Sequence, residues 1–397
     1  MKAIIAGGGT GGHLFPAIAL AEELRSRLSD LSLLFVGAKG GIEASLLAKR
    51  GWDFEGVRAS GLQAKRLPER LRSLALIPLS LIRSRSILRR FSPDVVVGLG
   101  GYASAAMVLA GVLARVPTII HEQNIFPGLT NRWLGKIVDH VAVAFEPAST
   151  LFPKDRVQVT GNPVRAELFG VNRAEAVVRF DLDPDRLTLL IFGGSQGAHR
   201  LNRAVLEALP LLESERGQVQ FLHATGPGDL GEVRQGYLEG GYRAVVEPFF
   251  WEMAAVYAAA DLCLCRAGAG SVAELCALGK PSILVPFPFA ANDHQRCNAE
   301  WLVASGGARM ILDRDLSGAA VAEIVKAFLR DRRRLDSMGQ KAKALAKPDA
   351  AARLADLVTG SAQPRRPLAR AEKGEQFTVN GSQSTGNRQP STIHSFG

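Results

Sequence analysis

The sequence predicts an α/β protein: two doubly wound parallel-sheet domains facing each other across a cleft, followed by a disordered C-terminal tail. Three observations carry this. Short apolar runs alternate with helix-length segments along most of the chain. The pattern stops near Val159–Arg165 and restarts at Leu187. Each half opens with a strand that runs directly into a glycine turn, so the halves read as Rossmann-like, and the glycine turns fall at the carboxyl ends of strands, where such sheets bind ligands. The 397 residues are enough for two such domains.

In order, Lys2–Ala6 reads as a buried strand and Gly7–Gly12 as a glycine loop. Pro16 is expected to open a helix with Ile18, Ala21, Leu24 and Leu28 at helical spacing. Strands follow at Leu31–Val36, Val95–Leu99, Thr118–His121 and Val141–Ala144, closing a first domain at 1–160. In the second half, strands are expected at Leu187–Phe192, Val219–Ala224, Asp261–Cys265 and Ser282–Val285, within a domain at 161–345. Between the last two lies LCLCRAGAGSVAELCALGKPSILVP, Leu262–Pro286, with a helix at Ser271–Leu278 closed by Gly279. A C-terminal helix is expected at 346–359. Residues 360–397, rich in Ser, Gln, Gly, Pro and Asn, cannot bury enough surface to fold alone.

The formal net charge is +10, and most of it is local: Lys65–Arg90 holds eight basic residues against Glu69 alone. That stretch predicts contact with an anionic surface. If it is helical, Leu74, Ile77, Leu81 and Leu88 share one face and Arg72, Arg83 and Arg90 the other, with a kink at Pro78. No apolar run approaches the roughly 18 residues needed to span a bilayer, so membrane contact is expected to be peripheral. The four cysteines lack metal-ligand spacing and read as reduced core residues of a cytosolic protein. The apolar run at the N-terminus is too short for a signal peptide.

Gly7, Gly9 and Gly12 fit GxGxxG, but the second strand lacks the acidic residue that holds an adenosine ribose, which argues against a nicotinamide dinucleotide. His13 stands at the start of the following helix, where the positive helix end favours a neutral imidazole able to take a hydroxyl proton. Gly98–Ser104 is a second glycine loop able to hold a phosphate, and His121-Glu122-Gln123-Asn124 sends polar groups to the same edge. Gly193–Gly197 repeats the logic with the Ser195 hydroxyl as a phosphate donor, and Arg165, in the linker, can neutralise a diphosphate. The Arg266–Gly270 loop has little side chain, so backbone amides can approach an anion, and Glu274 can accept from two vicinal hydroxyls. Diphosphate plus diol describes a nucleotide sugar. Asn292–Gln295 offers groups suited to sugar hydroxyls, and no DxD-like cluster ends a strand, so metal-independent chemistry is expected.

GGGTGGH at Gly7–His13, GLGGYAS at Gly98–Ser104, HEQN at His121–Asn124, GNPVR at Gly161–Arg165, GGSQGA at Gly193–Ala198 and CRAGAGSVAEL at Cys265–Leu275 together resemble the MurG family. Its members are N-acetylglucosamine transferases acting on pyrophosphoryl-undecaprenol N-acetylmuramyl-pentapeptide. The resemblance covers about Met1–Val358. It implies a GT-B fold and metal-free, cofactor-free, inverting transfer from UDP-N-acetylglucosamine to the C4 hydroxyl of the muramyl sugar of lipid I, giving lipid II. The implied location is the cytoplasmic face of the inner membrane, bound peripherally through Lys65–Phe91, with no nucleic-acid partner. His13 is the implied base. The donor contacts carried over are Thr10, Gly11, Gly12, Asn124, Arg165, Ser195, Phe250, Ala269, Gly270, Ser271, Val272, Ala273, Glu274 and Gln295, with His294 the alternative to Gln295. Phe250 stands where relatives often carry isoleucine. Gly100, Gly101 and Tyr102 would hold the acceptor diphosphate. An epimerase acting on the same donor and a non-catalytic membrane sensor of nucleotide sugars remain alternatives, and turnover with a lipid I analogue separates them.

Overall fold

The computed structural model describes residues 1–362 apart from 9–10, 39–42, 58–66 and 195, and gives only the backbone of residues 43, 45 and 67–77. Thirteen strands appear among the described residues. In the first half they are β1 (Lys2–Ala6), β2 (Ser32–Ala38), β3 (Asp53–Val57), β4 (Val95–Gly98), β5 (Thr118–Glu122), β6 (His140–Val143) and β7 (Val157–Val159). In the second they are β8 (Leu187–Phe192), β9 (Val219–Ala224), β10 (Ala244–Glu247), β11 (Leu262–Cys265), β12 (Ser282–Leu284) and β13 (Ala308–Met310). They form two parallel sheets, ordered β3-β2-β1-β4-β5-β6-β7 and β10-β9-β8-β11-β12-β13. Both sheets lie within one compact unit, Met1–Pro364.

The sheet order explains where the glycine loops meet. In each sheet the chain winds outward, then crosses back to the other side of its first strand, which leaves a crevice at the reversal. In the first sheet the reversal lies between β1 and β4, paired at Ala6 and Gly98, so the loops after both strands stand side by side. The second repeats this between β8 and β11, paired at Phe192 and Cys265. Close approach demands glycine: a Cβ on Gly101, at φ +86, would lie 2.9 Å from the Gly8 carbonyl oxygen.

Strands such as Leu187–Phe192, apolar except for Thr188 and buried throughout, are covered by helices on both faces. The last helix, Ala350–Ser361, crosses back to the first sheet, where Leu354, Ala355 and Val358 join Leu14, Ala17, Ile18 and Leu24 in one buried cluster. Two helices begin earlier than the sequence suggests. Gly11–Arg27 starts five residues before Pro16, whose fixed φ is compatible with a helix and which removes only one backbone bond, to the carbonyl one turn back. The second, Ala269–Leu278, starts two residues before Ser271, with Gly268 extended at the N-cap and no side chain capping it. Of the stretch 360–397 read as a disordered tail, Gly360 and Ser361 continue the last helix, and 363–397 lie outside the described residues.

The Leu67–Phe91 helix forms with Pro78 inside it. Its buried face is Ser80, Ser84, Ile87 and Leu88, with Leu81 packed against the same core, so Leu81 and Leu88 are not the free apolar face that the helical wheel suggests. Leu79 and Ile82 are the exposed apolar residues there, at 58% and 67%. The side chains of Leu74, Ile77 and Arg72, and Lys65 itself, lie outside what is described. Among the described residues no helix is long and apolar enough to cross a membrane.

Candidate functional site

The start of the Ala269–Leu278 helix leaves backbone amides without intrahelical partners. The first bonded amide is Val272, donating to the Gly268 carbonyl at 2.9 Å, which leaves the N–H groups of Ala269, Gly270 and Ser271 without intrahelical partners. A Cβ on Gly270 would meet nothing within 4 Å, so the helix is uncrowded beside that residue. The two extra helical residues, Ala269 and Gly270, missed from sequence, add their amides to this helix start.

Behind the amides, the Glu274 carboxylate accepts from Tyr257 Oη at 3.0 Å and from Arg165 Nη2 at 3.3 Å. Burial raises its pKa above the ordinary carboxyl value, and the Arg165 charge opposes the rise. Arg165 is itself buried and shared: Nη1 donates to Glu167 at 2.9 Å and the guanidinium lies 4.3 Å from the centre of the Phe15 ring, on the first sheet's leading helix. Among the described residues its Nε has no hydrogen-bond partner. Thus Arg165 joins the two halves at the carboxylate expected to bind ribose.

On the facing sheet, His13 is the third residue of the Gly11–Arg27 helix, and its Nδ1 lies 3.2 Å from Gln123 Oε1. Gly100 is packed on the ring, since a Cβ there would fall 2.6 Å from His13 Cε1. Burial lowers the His13 pKa below 6.5, partly offset by the nearby Glu122 charge, and His294 lowers it further.

His121 and Glu122 do not pair with each other. His121 Nε2 lies 2.9 Å from the Gly161 carbonyl oxygen, and burial brings its pKa to about 4. Glu122 accepts at both oxygens: from Asn124 N and Nδ2 at one, and from Gly128 N and Asn131 Nδ2 at the other. A carboxylate so saturated holds the loop after β5 in place and is spent as a base. Across the halves, Asn298 Nδ2 donates to Asn124 Oδ1 and to the Ala267 carbonyl, both at 3.2 Å, while its Oδ1 accepts from Ile125 N at 3.1 Å.

Gly11, Gly12, Asn124, Arg165, Gly100, Gly101, Tyr102 and the residues from Ala269 to Glu274 thus gather at the two sheet reversals or at the Arg165 and Asn298 links between them. Phe250 turns its ring into the second core, edge-on to Phe180 at 6.0 Å, leaving only its backbone for a ligand. Gln295 Oε1 accepts from Phe287 N at 2.9 Å, and His294 Nδ1 donates to the Ala291 carbonyl at 2.7 Å. Thr10 and Ser195 lie outside the described residues. Sequence inspection missed Tyr257, Asn298 and Glu167. Asn298 carried one usable signal, a polar residue three past Gln295 on an otherwise buried helix face. Elsewhere His199, Asp229 and Glu232 place potential ligand atoms within 4.8 Å of one another, but Asp229 is already engaged by His199 and Asn202.

Comparison with known proteins agrees with this geometry. Residues 3–143 match the glycosyltransferase family 28 N-terminal domain and residues 188–354 its C-terminal domain. The chain is 47% identical over 352 residues to the UDP-N-acetylglucosamine–N-acetylmuramyl-(pentapeptide) pyrophosphoryl-undecaprenol N-acetylglucosamine transferase of Geobacter sp. (strain M21), covering 88% of this chain and 94% of the relative. The transferase of the same name from Myxococcus xanthus is 45% identical over 357 residues, 90% of this chain and 92% of its own length. Among solved structures, Acinetobacter baumannii MurG superposes with a TM-score of 0.72 at 27% identity, covering 90% of this chain and 99% of the other. A Neisseria meningitidis UDP-GlcNAc 2-epimerase, at TM-score 0.66 and 14% identity over 91% of this chain and all of its own, shares the fold. With both halves matched and relatives nearly half identical along most of its length, the chain belongs to glycosyltransferase family 28, in the MurG family.

Proposed function

We propose that this protein is an inverting glycosyltransferase that moves N-acetylglucosamine from UDP-N-acetylglucosamine to the C4 hydroxyl of the muramyl sugar of undecaprenyl-pyrophosphoryl N-acetylmuramyl-pentapeptide. One observation carries it: a row of helix-start amides without intrahelical partners, backed by Glu274 and Arg165, stands across a cleft from an imidazole that burial keeps neutral. In the reaction His13 takes the acceptor hydroxyl proton as that oxygen attacks the anomeric carbon. The bond from that carbon to the β-phosphate oxygen breaks, and the leaving diphosphate gathers charge against the amides of Ala269, Gly270 and Ser271. Glu274 holds the ribose, and the Gly100–Tyr102 turn faces the acceptor's own diphosphate. Incubation with UDP-N-acetylglucosamine and a short-chain acceptor analogue should release UDP and form the disaccharide. UDP-sugar binding without release would favour a sensor, and 2-epimerised sugar without acceptor would favour an epimerase.

The lipid-linked acceptor calls for docking at a bilayer surface, and the Leu67–Phe91 helix supports a peripheral site on the cytoplasmic face. Its cations are not equivalent. Arg83 and Arg90 both pair with Glu55, whereas Arg85 and Arg89 have no ion-pair partner among the described residues. A recess of about 460 Å³ runs along this face, lined by Ile82, Arg85, Ser86, Arg89 and Arg90. Each unpaired cation near anionic lipid contributes about 1 kcal/mol. The double variant Arg85→Gln/Arg89→Gln should therefore bind phosphatidylglycerol vesicles roughly 30-fold more weakly, with a smaller loss for Arg83→Gln/Arg90→Gln and intact transfer to a soluble acceptor. Sedimentation with vesicles checks this. Binding that ignores the Arg85 and Arg89 changes and added salt would remove the helix as the anchor.

A further inference from the structure

The Gln123 side chain is surrounded by groups whose hydrogen-bonding roles are fixed. At one end lie two backbone carbonyl oxygens, Leu99 at 2.9 Å and His121 at 3.1 Å, which can only accept. That end must carry the amide nitrogen. The other end is therefore Oε1, also acceptor only, and it faces His13 Nδ1 at 3.2 Å. The hydrogen between them has to sit on His13 Nδ1.

His121 Nε2 faces the Gly161 carbonyl oxygen, so it carries hydrogen, and its Nδ1 is left bare, 2.9 Å from Gln123 Nε2, whose two hydrogens are shared among this nitrogen and the two carbonyls. Thr160 Oγ1 donates to the same Gly161 oxygen at 3.0 Å. Both rings are kept neutral chiefly by burial. The charged or titratable neighbours acting on His13 are Glu122 and His294, with His121 itself influenced by His13. Each ring thus has one hydrogen and one lone pair, and the side chains along the chain set which nitrogen holds which.

We infer that Gln123 is a positioning residue that locks His13 as the Nδ1–H tautomer, through a hydrogen-bond chain anchored at the Gly161 carbonyl, so that the lone pair rests on Nε2. With hydrogen on Nδ1, Nε2 is the ring nitrogen left to accept the acceptor's proton, and the Leu99 carbonyl is a further hydrogen-bond acceptor beside the ring. After transfer the imidazolium carries hydrogen on both nitrogens, with the new one on Nε2 and the old one still donated to Gln123. This deepens the proposed transfer and rests on His13 as its base.

Nitrogen-15 histidine spectra of the ligand-free protein test it, with the His13 signals identified by their loss in His13→Ala. The expected result is a protonated Nδ1 and a bare Nε2 on His13, and the reverse on His121. A parent protein whose His13 holds its hydrogen on Nε2 overturns the inference. In Gln123→Met, which keeps length but neither donates nor accepts, His13 should become a tautomer mixture. Its kcat should fall about tenfold, the kinetic equivalent of one neutral hydrogen bond near the top of its usual range, while donor affinity stays within a few-fold. In Gln123→Glu the added charge beside Nδ1–H should move the acid limb of the pH–rate profile upward. An unmoved tautomer and rate in Gln123→Met also overturn the inference, and if that variant fails to fold, the parent spectrum decides. A locked tautomer in a protein whose His13→Ala variant still turns over would instead sink the base assignment and leave the lock standing.

Discussion

Replacing His13 with alanine should lower kcat by about 10²–10⁴-fold while leaving the affinity for UDP-N-acetylglucosamine within a few-fold of the parent. The asymmetry follows from the site. His13 sits on the first half beside Gln123 and Gly100, while the amides and carboxylate that would hold the donor belong to the second. Removing the imidazole takes away the proton acceptor but none of the diphosphate or ribose contacts. Coupled UDP release measures the first effect and titration calorimetry the second. Turnover within a few-fold of the parent would reduce His13 to packing beneath Gly100. Because burial lowers its pKa, the neutral, base-competent form persists to a more acidic pH than for a free imidazole. The acid limb of kcat/KM should accordingly fall below 6.5, the ordinary value.

Glu274→Ala should weaken donor binding by about 1.5–3 kcal/mol, the worth of hydrogen bonds to a charged acceptor, which is roughly 10–150-fold in Kd. The carboxylate is already held by Tyr257 and Arg165, so it is positioned before the ribose arrives. Its loss also leaves the buried Arg165 with Glu167 as its remaining ion-pair partner. Unchanged affinity in calorimetry, with the melting curve intact, would take Glu274 out of the site. The pH dependence has a definite sign. Burial raises the Glu274 pKa above 4.5, and the charged form is the one that accepts from both hydroxyls. Donor affinity should thus decline on acidification at a higher pH than for a free carboxylate. For folding the sign is opposite: the raised value favours the folded state at low pH, and that contribution is lost as pH rises through the folded-state pKa.

The sequence was most legible where strands are central. Leu187–Phe192 and Val219–Ala224 appear as expected, because a strand buried on both faces is a mostly apolar run, here interrupted only by the buried Thr188, Gln220 and His223. The four strands missed, Asp53–Val57, Val157–Val159, Ala244–Glu247 and Ala308–Met310, are the edges of the two sheets. Each is short and mostly half-exposed, so its residues carry no such run. The glycine loops were visible because anion binding and tight crossover turns both need small residues. The contacts between them were not. His13 and Gln123 are 110 residues apart, and Asn298 and Asn124 are 174 apart, so local pattern says nothing of either pair. Pro16 and Ser271 misplaced two helix starts because each is a common first-turn residue, while the actual starts are marked only by glycine and alanine.

The docking of Ala350–Ser361 on the first sheet ties the order of synthesis to the order of folding. The N-terminal half leaves the ribosome with its leading helix made, but the apolar strip formed by Leu14, Ala17, Ile18 and Leu24 stays partly open until Leu354, Ala355 and Val358 have been translated. The first half is therefore completed last. A nascent or prematurely stopped chain presents that strip to water and to other chains, so the vulnerable period for aggregation spans nearly the whole of translation.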